Sequence, residues 1–94
     1  MTFDEAVTVL DGWLGEAVVL TMLPEGTTLR GRLTTIDAAG IDGALFGLAG
    51  GDGAASGVAL ALFRDAYASA QLVDGELSVR QGQMLLRVAR HAAV

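Results

Sequence analysis

Side chains that could carry out acid and base chemistry are few in this chain. Asp37 and Asp42 flank one predicted loop and could act as an acid and base pair or hold a cation. Carboxylates at this spacing in a glycine-containing turn more often cap backbone N–H groups. His91, the single histidine, lies in the last four residues, where chain ends usually fray. We therefore expect no catalytic residues and predict that the protein is not an enzyme.

Two residue types that carry much enzyme chemistry do not occur. Without cysteine there are no thiol nucleophiles, disulfides, or cysteine-based zinc and iron–sulfur sites. Without lysine there is no Walker A phosphate loop and no Schiff base, because a guanidinium cannot replace the primary amine. One imidazole builds a zinc site only where several carboxylates converge on it, and no spacing here suggests that. The sequence predicts no cofactor and no metal.

All six cationic side chains are arginines. Arg30 and Arg32 share one face of a predicted strand, and Arg80, Arg87 and Arg90 lie near the end, so a local basic patch is conceivable. The simpler interpretation pairs them with some of the eleven carboxylates. A net charge of -5 and few aromatic residues disfavour nucleic acid and anionic lipid as partners. We expect neither DNA nor a membrane to be a partner.

The size of the chain allows a single domain. Its 94 residues, 52% of them hydrophobic, are enough for one core and too few for two. The apolar stretch 43–63 is interrupted by Gly50-Gly51-Asp52-Gly53, so we interpret it as two strands and a flexible connection rather than a membrane span or a phosphate loop. The amino terminus lacks a basic region followed by an apolar one, which favours a cytoplasmic location.

The first fifteen residues predict an amphipathic helix. Thr2 and Glu5 have capping-box spacing, and apolar residues recur every three or four positions from Phe3 to Leu14. Gly12 or Gly15 would end the helix. So short a helix must bury its stripe on a sheet or on a neighbouring copy of the chain.

The rest of the chain, 16–90, predicts short strands, with 91–94 as a tail. Strands are predicted at 17–23 and 27–36, then at 44–49 and 58–63. In the second, a phase slip after Gly31 suggests a sharp bend or a bulge, as in small closed barrels. Residues 64–73 fit a continued strand or, because of their alanines, a helix. Asp74-Gly75 is a hairpin signal, and 76–79 and 84–88 flank Gln81-Gly82 as a final strand broken by a turn or a bulge. The predicted fold is mainly β, a small barrel of about five bent antiparallel strands with an N-terminal α-helix.

Two segments resemble the motifs of the Sm and Sm-like proteins, although other SH3-like modules are similar to the first half. The first comprises Leu14-Gly15-Glu16-Ala17-Val18 through Gly26, followed by Gly31-Arg32-Leu33-Thr34-Thr35-Ile36-Asp37. The second is Val79-Arg80-Gln81-Gly82-Gln83-Met84, in which Gln81 is one extra residue. The resemblance implies an Sm-like barrel, assembly into a ring, and a pocket for single-stranded RNA.

The same resemblance implies a set of RNA-binding residues. Asp37 and Arg80 match motif positions, and Gly82 supports the turn beside Arg80. The family's asparagine falls on Ile41 or, with one inserted residue, on Asp42. Ile41 cannot hydrogen-bond a base edge, and an ionised Asp42 only accepts hydrogen bonds and repels phosphate.

Apolar residues on both faces of the predicted strands 17–23 and 58–63 favour self-association. A barrel this small covers one face of each strand, so the second face needs the helix or another subunit. We therefore predict a non-catalytic, homo-oligomeric binding or scaffold module that associates through strand edges, with a protein partner possible. The alternative is single-stranded RNA binding by an Sm-like ring. A small enzyme or metal-binding protein that uses Asp37 and Asp42 is a third, less favoured hypothesis.

Overall fold

The computed structural model describes residues 1–37, 40, 42–49 and 58–90. Helix α1 spans Phe3–Asp11 and begins with the predicted capping box. The Thr2 hydroxyl accepts from the Glu5 N–H at 3.1 Å, and the Glu5 carboxylate accepts from the Thr2 N–H at 2.7 Å. The hydrogen bonds from Thr2 lower the pKa of Glu5 from its ordinary value. Gly12 caps the C-terminal end of the helix.

Seven strands follow the helix and form one antiparallel sheet. In chain order they are β1 Ala17–Leu23, β2 Thr27–Ile36, β3 Gly43–Ala49, β4 Leu60–Phe63, β5 Tyr67–Val73, β6 Glu76–Gln81 and β7 Met84–Arg90. The spatial order is β4-β3-β2-β1-β7-β6-β5, so the sheet is not closed and β4 and β5 are its edges. The predicted mainly β fold with an N-terminal helix is confirmed.

The strand count of about five expected from the sequence differs from the structure because two turns divide the C-terminal part of the chain. Residues 64–66 form a turn in which the Ala66 N–H donates to the Phe63 carbonyl at 3.1 Å. Residues 67–73 are therefore a separate strand and not a helix. A second turn at Gly82 and Gln83 separates β6 from β7. Apolar residues alternate through both β6 and β7, so the alternation does not mark the turn that separates these two strands.

Strand β2 changes partners in its middle. It pairs with β1 up to Arg32, which lies opposite Ala17, and with β3 from Arg32 onward, where Arg32 lies opposite Ala49. Both pairings run in continuous register, so the bulge considered near Gly31 is not present. The register shift lies instead in β5, between Tyr67 and Ser69. A strand whose first half pairs with one neighbour and whose second half pairs with the other is typical of a strongly curved sheet.

The core lies between α1 and one face of the sheet. Burying each large aliphatic or aromatic side chain stabilises the fold by about 1.5–3 kcal/mol, which is what holds so short a helix in place. The buried cluster comprises Phe3, Ala6, Leu10, Trp13, Val18, Leu20, Leu33, Phe46, Leu48, Leu60, Leu62, Leu77, Val79, Leu86 and Val88.

The hairpin between β5 and β6 is the one predicted from Asp74-Gly75. Asp74 has φ 51° and Gly75 has φ 77°, the two positive values of a type I′ turn. Val73 lies opposite Glu76 as the first pair of the ladder. This turn fixes which backbone groups of β5 face β6.

Candidate functional site

A glutamine side chain occupies an inward position among apolar neighbours at the end of β6. Leu77, Val79 and Gln81 alternate along the strand, and all three are buried, Gln81 with 7% of its surface exposed. The Gln81 Oε1 accepts from the Phe63 N–H at 3.0 Å, and its Nε2 donates to the Ala61 carbonyl at 2.6 Å. The amide therefore satisfies the backbone of β4 from across the inside of the curved sheet.

These hydrogen bonds cap the edge of β4. Alternate residues of a strand point their backbone groups to opposite sides, and Ala61 and Phe63 point away from β3. The Phe63 carbonyl accepts a hydrogen bond from the Ala66 N–H. The Gln81 side chain accepts from the Phe63 N–H and donates to the Ala61 carbonyl. Little of this edge is left to accept another strand.

The outer edge of β5, in contrast to that of β4, is not capped. The type I′ turn makes Val73 and Glu76 a hydrogen-bonded pair, so Gln71 also bonds to β6, whereas Ala70 and Leu72 point their N–H and C=O groups outward. In the part of the chain that the structure describes, nothing outside the sheet makes a backbone hydrogen bond to these two residues. The strand contains no charged residue and no proline, the usual protections of an edge.

Exposed apolar side chains accompany the open edge. Leu72 is 43% exposed and Val73 is 51% exposed, next to each other at the hairpin end of β5. At the other end the bulge between Tyr67 and Ser69 interrupts the edge. The open part of β5 is therefore the stretch 70–73.

A shallow polar groove of about 290 Å³ crosses the outer face of β5, β6 and β7. Arg87 in this groove pairs with Glu76 at 3.2 Å. Among the described residues, Arg80 has no carboxylate within ion-pair distance. Hydroxyl, amide and guanidinium groups here could bind a polar or anionic ligand. The polar lining is Ser69, Gln71, Ser78, Arg80 and Arg87.

The structure separates the predicted RNA-binding residues. Asp42 pairs with Arg64 at 3.1 Å, while Arg80 lines the outer groove. Gly82 lies in the turn after β6 with φ 58°, and its N–H donates to the Ala66 carbonyl. Asp37 follows β2 and is exposed. Asp42 and Arg80 thus belong to different clusters, and Ile41 lies outside the described residues.

Arg64 joins three parts of the chain. It pairs with Asp4 of α1 at 3.0 Å as well as with Asp42, and its guanidinium lies 4.6 Å from the centre of the Phe3 ring. Hydrogen bonds to Asp4 and then to Asp42 raise the pKa of Arg64. The Asp42 carboxylate is thus engaged in holding the fold together.

Two further arginines, Arg32 and Arg90, make contacts within the fold. Arg90 pairs with Glu16 at 3.5 Å and lies over the Trp13 ring at 5.5 Å. Arg32 donates to the Gly15 carbonyl at 3.1 Å. Such contacts use the guanidinium groups within the fold.

Tyr67 also ties the helix to the sheet. Its hydroxyl donates to the Met1 carbonyl, and its ring meets Phe3 edge to face at 5.7 Å between centres. Burial, and secondarily the charge of Glu5, raises the pKa of Tyr67. The phenol therefore serves as a neutral hydrogen-bond donor.

The metal, membrane and loop sites considered from the sequence add no further candidate among the described residues. Within the described ranges, no cluster of three or more metal-ligating side chains occurs, and no helix there is long and apolar enough to cross a membrane. His91 and the glycine run 50–53 lie outside the described residues.

Comparison with family models, curated proteins and solved structures finds no match to this chain. The capped edge of β4, the open edge of β5 and the polar groove remain as candidate functional features.

Proposed function

We propose that this chain is a non-catalytic, self-associating binding module with an Sm-like, SH3-like curled sheet, working in the cytoplasm. The observation that carries the proposal is the unprotected edge of β5, where Ala70 and Leu72 point their backbone groups away from β6 beside the exposed Leu72 and Val73 side chains. An edge of this kind pairs readily with another strand. The partial Sm motifs and the partner change of β2 at Arg32 support the curled-sheet part of the proposal.

The experiment is sedimentation equilibrium of the wild-type chain over a range of micromolar concentrations. We expect a mass above 9.6 kDa that falls on dilution. Val73→Lys places a charge at the open edge and should weaken the association. Thr28→Lys, on an exposed position of β2, is the matched control and should leave the mass unchanged. A wild-type chain that stays monomeric throughout would contradict self-association.

Single-stranded RNA binding is the second candidate function. Its support is Arg80, which faces the polar groove without a carboxylate partner among the described residues. Titration with oligouridine at low and high salt tests it, because phosphate contacts weaken as salt rises. Arg80→Ala should abolish salt-sensitive binding, and Arg30→Ala, which removes another exposed arginine, should not. The absence of salt-sensitive binding by the wild-type chain would remove this candidate.

A further inference from the structure

We propose that self-association is two-fold, with β5 of one copy pairing antiparallel to β5 of a second copy about an axis at Gln71. The inference rests on the proposed function and names its partner as another copy of this chain. The paired strands would join two seven-stranded sheets into one continuous sheet. The geometry of the two edges carries the inference.

The capped edge of β4 disfavours a ring. A closed ring needs head-to-tail contacts, in which the β5 edge of one subunit meets a different edge of the next. The opposite terminal strand of the described sheet is β4, where the Ala61 carbonyl and both outward backbone groups of Phe63 are already bonded to Gln81 and Ala66. An open edge that finds no complementary edge can pair with its own copy, which requires a two-fold axis.

The register follows from which residues of β5 point outward. In an antiparallel pair, hydrogen-bonded positions must face each other, so outward-facing Ala70 of one copy lies opposite outward-facing Leu72 of the other. Centring the axis on Ala70 would require Ala68, which lies within the bulge. Centring it on Leu72 would require Asp74, which lies in the turn. Gln71 is therefore the residue that meets its own copy.

The side chains at this register are compatible with pairing. No charged residue in β5 faces a like charge, because the strand has none. The two Gln71 amides, which are exposed in the single chain, can hydrogen-bond to each other across the axis. Leu72 and Ala70 of the partner face each other, which covers part of the exposed Leu72 surface. Because Gln71 also lines the polar groove, the grooves of the two copies meet at the axis.

A cysteine placed at the axis tests the register directly, since the chain has no cysteine of its own. Gln71 would be a non-hydrogen-bonded pair with Cα atoms about 4.5 Å apart, within reach of a disulfide. We expect Gln71→Cys to form a reducible covalent dimer under mild oxidation. Ser78→Cys is the matched control, because Ser78 lies beside Gln71 on β6 and the two copies would be about 14 Å apart. Equal cross-linking of both variants would overturn the register.

Opposite charges at the same position provide a second test. Gln71→Lys alone and Gln71→Glu alone place like charges against each other, and each should self-associate about fivefold more weakly than the wild type. An equimolar mixture should recover dimers that contain one copy of each. Gln71 is exposed, so both variants should keep the wild-type circular dichroism spectrum.

The outcomes separate this inference from the proposed function. A monomeric wild-type chain contradicts both. A wild-type chain that forms six- or seven-membered rings keeps the self-associating module and overturns the two-fold pairing. Association of Gln71→Lys at wild-type strength also overturns it. Dimers that cross-link at Gln71→Cys, together with recovery in the charged mixture, support both.

Discussion

The Gln81 Oε1 accepts a hydrogen bond from the Phe63 N–H at 3.0 Å, so a side chain of β6 completes the backbone of β4. The same amide also donates to the Ala61 carbonyl. It thus bonds to the two residues that flank Leu62, as the backbone of one residue does in a neighbouring parallel strand. The same contact joins β4, one terminal strand of the sheet, to β6, the neighbour of the other terminal strand. It also closes one of the two edges through which copies of the chain could pair.

Replacing Gln81 by Leu should destabilise the fold. The substitution leaves the Phe63 N–H and the Ala61 carbonyl without their partner, and an unsatisfied, partly buried polar group costs about 1–3 kcal/mol. We expect a loss of about 2 kcal/mol in the free energy of unfolding by urea. Gln83→Leu, in the exposed turn after β6, is the control and should have little effect. Equal stability of the two variants would contradict the role given to Gln81.

The same substitution should change the assembly. Uncapping β4 leaves both edges of the sheet open, which permits head-to-tail pairing of β4 with β5 of another copy. Light scattering at equal protein concentration should therefore show species larger than dimers for Gln81→Leu and not for the wild type. A variant with the wild-type mass distribution would argue against capping as the limit on assembly.

Gly43 should not tolerate a side chain. A Cβ atom there would overlap the backbone oxygen of Leu62, so β3 and β4 would have to separate. We expect Gly43→Ala to lower the free energy of unfolding by about 2 kcal/mol, a typical effect of overpacking. Gly12→Ala is the control, because its Cβ would meet no atom closer than 3.4 Å. Urea denaturation of both variants measures the difference.

Tyr67 should ionise at a higher pH in the folded chain than in the unfolded one. Its pKa is raised from 10.0 in the folded state, so that state holds the phenolic proton more tightly. The stabilisation is complete below the unfolded pKa and disappears as the pH rises through the folded pKa. Tyr67 is the single tyrosine, so the absorbance of tyrosinate reports it alone. Tyr67→Phe should show less loss of stability at alkaline pH, and an identical pH profile would contradict this.

Arg64 should stabilise the fold in a salt-dependent way. Its ion pairs with Asp4 and Asp42 connect α1, the β4–β5 turn and the start of β3. Arg64→Met should lower the urea midpoint, and the difference from the wild type should shrink in molar salt because exposed ion pairs are screened. Arg30→Met, at an exposed position with no ion pair among the described residues, is the control. A difference that does not depend on salt would contradict the ion-pair explanation.

The sequence predicts the local elements well because their signals are local. Thr2 and Glu5 mark the helix start, and Asp74-Gly75 marks the hairpin. The turn at 64–66 carries no glycine or proline, so the chain from Val58 to Val73 looks continuous. The strand order depends on contacts between distant residues, such as β1 with β7, which periodicity does not report.

The candidate site is only partly visible in the sequence. Gln81 looks like an extra residue in a motif, although it follows Leu77 and Val79 at a spacing of two and therefore occupies an inward position. Its partners on β4 lie about twenty residues away and could not be identified from spacing. The pairing of Asp42 with Arg64 is likewise long-range, and it removes a residue that the family resemblance placed in a binding pocket.

Hydrogen exchange at the edge of β5 tests the central claim most directly. In the single chain the N–H groups of Ala70 and Leu72 face outward, while that of Gln71 is bonded to β6. We predict that protection of the Ala70 and Leu72 amides rises with protein concentration as copies pair, while protection of Gln71 stays constant. Fast exchange at Ala70 and Leu72 at concentrations where the chain is associated would show that association uses another surface and would contradict the account.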